Sequence, residues 1–217
     1  MPVRKIPKNY RNVTGVAAHQ KSAGKAMFES TLERDLLILL EFDPSITTFE
    51  VQPLTLEWTD ANNKARRYTP DVLATFHQSG HQYKILYEVK YRSELKQLWS
   101  ELRPKFRAAV RFARAQGWRF KLITEIEIRS TYLENAKFLL SFVRQGPSDE
   151  AHMDLLDEQI KRLQQTTPTE LLSSVFKDEW NQAKLLPTLW YLIGTRQIGV
   201  DLDIKLTMNS PIWSLHK

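Results

Sequence analysis

The feature that most constrains this chain is a run of alternating residues over 83–90, which is typical of a β-strand. Side chains point to opposite faces along a strand, so Glu88 and Lys90 are expected on one face. A second β-rich run covers 72–76, and a polar, glycine-containing sequence typical of a hairpin turn separates the two runs. The hairpin would bring Asp71, which precedes the first run, beside Glu88.

The residues gathered by this hairpin have two interpretations. The carboxylates of Asp71 and Glu88 would form a site of hard oxygen ligands suited to Mg²⁺, and the Lys90 ammonium would orient or deprotonate a water for attack on phosphorus. The same residues would also fit a solvated sheet face, where a pair of opposite charges contributes about 0.2–1 kcal/mol. The hairpin alone leaves both interpretations open.

Apolar residues recur at helical spacing over 26–42, which predicts a helix that begins before Ser30. Glu33 would lie on the flank of this helix, within reach of a site at the sheet edge. Alternatively, Ser30 and Glu33 form a capping box, in which the glutamate bonds back to the start of the helix. Both roles of Glu33 stay open on local grounds.

A long helical stretch follows Lys90 in two amphipathic pieces, and Pro104 is expected in the first turn of the second piece. Between residues 84 and 121, 11 Lys and Arg stand against 3 Asp and Glu. This excess of positive charge favours a helix face that binds DNA, and a solvated helix face is the alternative. The predicted DNA contacts are Arg66, Arg67, Arg92, Lys96, Arg103, Lys105, Arg107 and Arg111. The first two lie before the hairpin, and the alternative for them is an exposed rim without a DNA contact.

The order of elements predicts an α/β fold. Residues 118–123 form a strand after the long helix, and a strand, helix, strand succession favours parallel pairing through a right-handed crossover. With the antiparallel strands before it, this gives a mixed sheet covered by helices.

The chain is predicted to divide where its composition changes, at Gly146-Pro147-Ser148. Residues 1–25 are expected to form a basic N-terminal arm, residues 26–145 the α/β domain, and residues 147–217 a smaller α+β domain.

In the last domain we expect three helices followed by a β-hairpin, a winged-helix-like arrangement. The third helix is predicted to begin at Pro187, and residues 200–206 alternate like the first strand of the hairpin. Residues 131–217 carry 9 Lys and Arg against 11 Asp and Glu, whereas residues 1–130 carry 22 against 14. A polyanion is therefore the expected partner of the first part and a protein that of the second.

Composition excludes several classes of function. The 217 residues include no cysteine, so disulfide scaffolds, thiol catalysis and cysteine-rich zinc sites are excluded. No apolar run approaches the roughly 20 residues of a membrane span. We expect a cytoplasmic protein.

The acidic residues and the lysine follow one another in an order that resembles the PD-(D/E)xK nucleases. That order is Glu33 on a first helix, Pro70-Asp71 before a strand, and Glu88-Val89-Lys90 at the end of the next strand. The resemblance implies a restriction-endonuclease-like fold for residues 26–145.

Four segments narrow the resemblance to one family. RNVTGV at 11–16, FESTLERDLLILLEFDPSITTFEVQP at 28–53, YTPDVL at 68–73 and LITEIEI at 122–128 are similar to the TnsA family, nuclease subunits of Tn-seven-like transposases. The similarity is greatest to the compact members from CRISPR-associated transposons.

The resemblance implies a chemistry for the acidic residues. Glu33, Asp71 and Glu88 would be metal ligands for Mg²⁺, with Mn²⁺ as a substitute, and Lys90 would stand near the attacking water. Some relatives have glutamine in place of Glu88, and a glutamate keeps the full charge of a ligand.

The resemblance also implies partners and a place in transposition. The chain would cut the non-transferred strand at the 5′ ends of the transposon, while a DDE-type transposase (TnsB-like) would cut and join the 3′ ends. The C-terminal domain would engage an AAA+ ATPase regulator (TnsC-like). Two alternatives are a stand-alone restriction or repair nuclease, and a non-catalytic DNA-bound adaptor that recruits the ATPase.

Overall fold

The computed structural model describes residues 15–17, 19–60 and 63–216 of the chain. The chain divides into two compact units, Met1–Ile128 and Arg129–Lys217. The division falls one helix before the composition change at Gly146, on which the predicted boundary rests. None of the described helices combines the length and apolar composition that crossing a membrane requires.

The elements of the first unit surround one central sheet. In chain order they are β1 (Gly15–Ala17), β2 (Ala26–Phe28), α1 (Thr31–Phe42), β3 (Ile46–Val51), β4 (Leu56–Thr59), β5 (Ala65–Tyr68), β6 (Val72–Gln78), β7 (His81–Val89), α2 (Arg92–Ala115), β8 (Arg119–Ile123) and α3 (Glu125–Ile128).

The central sheet has four strands in the order β3-β6-β7-β8. The first three are antiparallel, and β8 runs parallel to β7, as predicted, because α2 forms the crossover between them. All five residues of 72–76 in β6 are buried, so this strand is covered on both faces. A mixed sheet flanked by helices confirms the predicted α/β, restriction-endonuclease-like fold.

The predicted β6–β7 hairpin is present and turns in two residues. Ser79 and Gly80 have φ values of 51° and 78°, so both occupy the left-handed region that a type I′ turn requires. This turn fixes the register, with Gln78 opposite His81 and Val72 opposite Tyr87. Continued by one residue, the same register sets Asp71 opposite Glu88.

Both flanking helices differ in detail from the prediction. The prediction that α1 begins before Ser30 was wrong, because residues 26–28 pair with β1 as a strand and Ser30 has the extended backbone of an N-cap. In α2 the break falls at Leu98 (φ −112°, ψ 16°), so Pro104 lies inside the helix and not in the first turn of a second one.

Part of the predicted N-terminal arm is packed on the sheet. Residues 15–17 pair with β2, and the backbone at Lys21 and Ala23 exchanges hydrogen bonds of 2.9 and 2.8 Å with Phe49. Within residues 15–17 and 19–25, the chain is therefore part of the fold of the first unit. Residues 1–14 and 18, where most of the predicted arm falls, lie outside the described residues.

The second unit is a cluster of helices with a small sheet. Its elements are α4 (Thr131–Gln145), α5 (Glu150–Leu163), β9 (Gln165–Thr166), α6 (Pro168–Val175), α7 (Glu179–Gly194), β10 (Ile198–Val200) and β11 (Ile212–Ser214). The sheet order is β10-β11-β9, with antiparallel pairs. The winged-helix assignment of this unit stays a prediction.

Two predictions in the second unit were wrong. The helix that contains Pro187 begins eight residues earlier, at Glu179, where the side chain of Asp178 caps it. Its C-terminal half is buried around Leu189, which offsets the hydrogen bond that proline removes. The strand predicted over 200–206 stops at Val200.

The backbone after Val200 forms hydrogen bonds with a side chain, whereas a β-strand would need a neighbouring strand as its partner. The amide of Asn135 on α4 donates to the carbonyl oxygens of Leu202 (2.9 Å) and Ile204 (2.8 Å). The Oδ1 atom of Asn135 accepts from the N–H of Leu206 at 3.0 Å. The hydrogen bonds of Asn135 thus take the place of the strand pairing that the alternating pattern predicted.

Candidate active site

A buried carboxylate lies at the C-terminal end of β7. Glu88 is 1% exposed, because it points from the central sheet toward the second half of α2. The Nζ atoms of Lys105 and Lys90 stand 3.1 and 3.4 Å from its Oε1 atom. The hydroxyl of Tyr68 donates to its Oε2 atom at 2.6 Å. Two ammonium groups and one phenol therefore fix the position of this carboxylate.

Asp71 lies beside Glu88 across the hairpin, as the sequence predicted. Its N–H donates to the carbonyl of Tyr87 at 3.1 Å, and its Oδ2 atom accepts from the N–H of Val89 at 2.6 Å. Burial and the negative charges of Glu88 and Glu33 raise the pKa of Asp71 well above its ordinary value, against the opposing effects of Lys90 and this hydrogen bond. The carboxylates of the site repel one another.

Glu33 forms the capping interaction that its sequence allows, and its carboxylate also interacts electrostatically with Asp71 and Lys90. Its N–H donates to the Oγ atom of the N-cap Ser30 at 3.2 Å, and its carboxylate accepts from the Ser30 hydroxyl and from the N–H of Glu29, at 2.9 and 2.8 Å. This is a variant of the capping box, because the backbone donor comes from the residue before the N-cap. Burial raises the pKa of Glu33 despite these hydrogen bonds and the attraction of Lys90, so Glu33 also belongs to the charge cluster.

Lys90 interacts electrostatically with the carboxylates of Glu33, Asp71 and Glu88. Burial by itself would lower its pKa, but Glu88, Asp71 and Glu94 together outweigh burial, and the pKa of Lys90 is raised above its ordinary value. Lys90 is therefore a charged ammonium at neutral pH, held on the same face as Glu88, as the alternation predicted.

Sequence reasoning missed two residues of this cluster. The predicted site residues do not include Tyr68, and Lys105 is among the predicted DNA contacts on the outer face of α2. In the fold, the Nζ atom of Lys105 stands 4.8 Å from the centroid of the Tyr68 ring while it bonds to Glu88. The sequence carried a weak signal for Tyr68, which lies three residues before Asp71 at the end of an otherwise exposed strand.

The other predicted DNA contacts fall into separate groups. Arg66 and Arg67 form surface ion pairs with Asp60 (2.8 Å) and Glu57 (2.9 Å). Arg92 and Lys96 lie exposed before the break in α2 and line one cleft with Trp99. The three remaining arginines are exposed after the break and share a second cleft with Trp99; they are Arg103, Arg107 and Arg111.

The acidic cluster of Glu33, Asp71 and Glu88 offers carboxylate oxygens, which are the kind of ligand that Mg²⁺ prefers. In the described part of the chain no group of three or more His, Cys, Asp and Glu side chains is arranged to hold a metal ion. Magnesium sites commonly use only one or two carboxylates and fill the remaining positions with water and substrate phosphate, so the pair Asp71 and Glu88 meets this requirement. A divalent cation would also relieve the repulsion that raises the pKa of Asp71.

The fold and the clustered acidic residues define a restriction-endonuclease-like protein. A family model described as the TnsA-like endonuclease N terminal matches residues 43–125, and one described as the TnsA endonuclease C terminal matches residues 127–202. The chain belongs to the TnsA endonuclease family. It is thus a nuclease subunit of a transposase, as its sequence resemblance implied. No curated protein matches the chain.

Proposed function

We propose that this chain is a Mg²⁺-dependent DNA endonuclease that cuts the non-transferred strand at the 5′ ends of a transposon. The observation that carries the proposal is the convergence of Asp71, Glu88 and Lys90 at one buried site, with Glu33 contributing its charge. The net positive charge of residues 1–130 supports a DNA substrate.

Asp71 and Glu88 would hold the metal ion, with Glu33 nearby, and Mn²⁺ would substitute for Mg²⁺. When bound, the ion would supply charge stabilisation at the scissile phosphate and would make the attacking water more acidic. Asp71 is suited to this task because its Oδ2 atom is already fixed by the N–H of Val89. The ligand geometry is thus set by backbone before any substrate arrives.

The lysines would have different tasks. Lys90, charged and close to both carboxylates, would position the attacking water and stabilise the negative charge that develops on the phosphate. Lys105 and Tyr68 would position Glu88, one at each carboxylate oxygen. Hydrolysis by in-line attack would leave a 5′ phosphate and a 3′ hydroxyl.

Partners are assigned by unit. The first unit would meet transposon-end DNA and work beside a DDE-type transposase (TnsB-like), which cuts and joins the 3′ ends. The second unit, with 9 Lys and Arg against 11 Asp and Glu over 131–217, has no charge bias toward DNA. We assign it the contact with an AAA+ ATPase regulator (TnsC-like).

The test is strand-specific cleavage of labelled transposon-end DNA by this chain with its transposase partner and Mg²⁺. Asp71→Asn keeps the shape of the side chain and removes its charge, and Asp154→Asn makes the same change at an exposed position of the second unit. We expect Asp71→Asn to abolish only the 5′-end cut, with the 3′-end cut as the internal control, and Asp154→Asn to abolish neither.

Other outcomes would point to the alternatives. If both cuts survive Asp71→Asn, the acidic cluster is structural and the chain is a DNA-bound adaptor. If the isolated chain cuts DNA as well as the mixture does, it is a stand-alone nuclease.

A further inference from the structure

We propose that the cleft along the second part of α2 binds an unpaired stretch of DNA next to the cut. Its phosphates would lie on Arg103, Arg107 and Arg111, and a base would stack on Trp99. The proposal rests on the proposed DNA substrate and specifies its form, a locally melted or frayed strand.

The three arginines form a row of cations. They recur every four residues. Because each residue of a helix rises about 1.5 Å, the backbone positions of successive arginines lie about 6 Å apart along the helix axis. All three are exposed and line one cleft of about 560 Å³. Within the described residues they form no ion pair, in contrast to Arg66 and Arg67. Such a row is complementary to the backbone of a nucleic-acid strand, and its charge is available for phosphate.

The floor of the same cleft is apolar and aromatic. The Trp99 side chain is 47% exposed, and its ring centroid lies 6.1 Å from that of Phe106, which in turn lies 6.1 Å from that of Phe120. Leu122 completes this floor. An exposed tryptophan beside cations is typical of single-strand binding, where stacking on an aromatic ring contributes about 1–3 kcal/mol per base.

A DNA duplex could not place its bases on the apolar and aromatic floor of this cleft. It keeps the faces of its bases inside the stack and presents sugar and phosphate outside, so the arginines would find partners but the apolar rings would not. An unpaired strand presents both phosphates and base faces. The combination of a cationic wall with an aromatic floor therefore favours the unpaired form.

The cleft begins next to the acidic site. Leu122 in its floor is the register partner of Glu88 on the neighbouring strand. Phe106 follows Lys105, whose ammonium is bonded to Glu88 and lies 5.2 Å from the Phe106 ring. A strand whose phosphate lies at the acidic site would therefore have its neighbouring nucleotides within reach of Trp99.

The experiment measures binding by the full-length chain in the absence of Mg²⁺, so that no cleavage occurs. Fluorescence anisotropy follows a labelled short oligodeoxythymidine and, separately, a labelled duplex of equal length. Trp99→Ala is compared with Trp180→Ala, a matched control because Trp180 is 82% exposed in the second unit. We expect Trp99→Ala to weaken single-strand binding by on the order of tenfold and to leave duplex binding unchanged, and Trp180→Ala to change neither.

Two further variants keep the test interpretable. Trp99→Phe retains an aromatic face, so it should recover much of the single-strand affinity even if Trp99→Ala lowers the melting temperature. Arg107→Gln should weaken single-strand binding and reduce the slope of its salt dependence by about one.

Two results would overturn the proposal. One is an equal loss of single-strand and duplex affinity in Trp99→Ala, which would make the cleft a general backbone contact. The other is unchanged single-strand affinity in Trp99→Ala, which would show that no base stacks on Trp99. Because no cleavage is measured, failure here leaves the Asp71 experiment unaffected, and failure of that experiment leaves the binding result intact.

Discussion

The acidic cluster of the first unit and Asn135 of the second unit are two ways of burying polar groups. Asn135 is 4% exposed and neutral, and its amide is matched by two carbonyls and one N–H. In the cluster, like charges lie close together, and the pKa values of Asp71 and Glu33 are raised as a result of burial and repulsion. Satisfied burial is typical of structural residues, whereas unfavourable burial of charge is typical of functional sites.

The largest expected effect comes from removing the charge of Asp71. With Asp71→Asn we expect 5′-end cleavage in the assembled reaction to fall by about a thousandfold or more, because a ligand charge at the scissile phosphate is lost. The same change should raise the melting temperature of the metal-free protein, because it removes repulsion. A loss of both activity and stability would show that Asp71 is structural, like Asn135.

The converse change is made in the second unit. Asn135→Ala leaves the backbone groups of Leu202, Ile204 and Leu206 without their partner, and should lower the free energy of unfolding of that unit by about 2–4 kcal/mol. Urea denaturation followed by circular dichroism measures the effect, with the exposed Asn209→Ala as control. An unchanged midpoint in Asn135→Ala would show that these bonds do not hold the 201–206 segment.

Acidity should distinguish the two kinds of burial. The pKa values of Asp71 and Glu33 are raised in the folded protein, so the folded protein binds protons more tightly than the unfolded chain. Above their ordinary pKa values, the two charged carboxylates therefore destabilise the fold. This destabilisation is relieved as the pH falls toward those ordinary values. Each carboxylate contributes at most about 1.4 kcal/mol per pH unit. Denaturation midpoints of metal-free protein across this pH range should show a shallower slope in Asp71→Asn and an unchanged slope in Asn135→Ala, because Asn135 does not titrate.

The smallest expected effect compares two helix caps. Ser30→Ala and Thr167→Ala should each lower the free energy of unfolding by about 1 kcal/mol, since each removes a side chain that accepts from the first turn of a helix. Only Ser30→Ala should also slow cleavage, by a few-fold, because its hydroxyl holds the carboxylate of Glu33. Equal cleavage rates in the two variants would show that Glu33 acts in capping alone.

The sequence predicted the centre of the candidate site because that part is local. A two-residue turn and strict alternation place Asp71, Glu88 and Lys90, and neither depends on the rest of the fold. The sequence shows Lys105 only as one of many basic residues of this helix. Its bond to Glu88 follows from the packing of the second half of α2 against the sheet, which no local pattern encodes.

The misassigned elements also have physical causes. The alternation over 200–206 has the period of a strand, but its backbone groups are bonded by a side chain 67 to 71 positions earlier in the chain, which no local pattern encodes. The helical spacing over 26–42 extends through residues 26–28, yet pairing with β1 makes those residues a strand. In both cases tertiary contacts override local preference.

If Asp71 and Glu88 hold the metal ion as proposed, the length of the turn at Ser79 and Gly80 would itself determine catalysis. The turn begins eight residues after Asp71, roughly 26 Å along the strand at about 3.3 Å per residue. One residue inserted there, with β7 held in place by β8, would slide β6 by one position and turn Asp71 away from Glu88. A gene carrying that insertion would still encode every residue of the nuclease motif, in the same order, and its product would be inert.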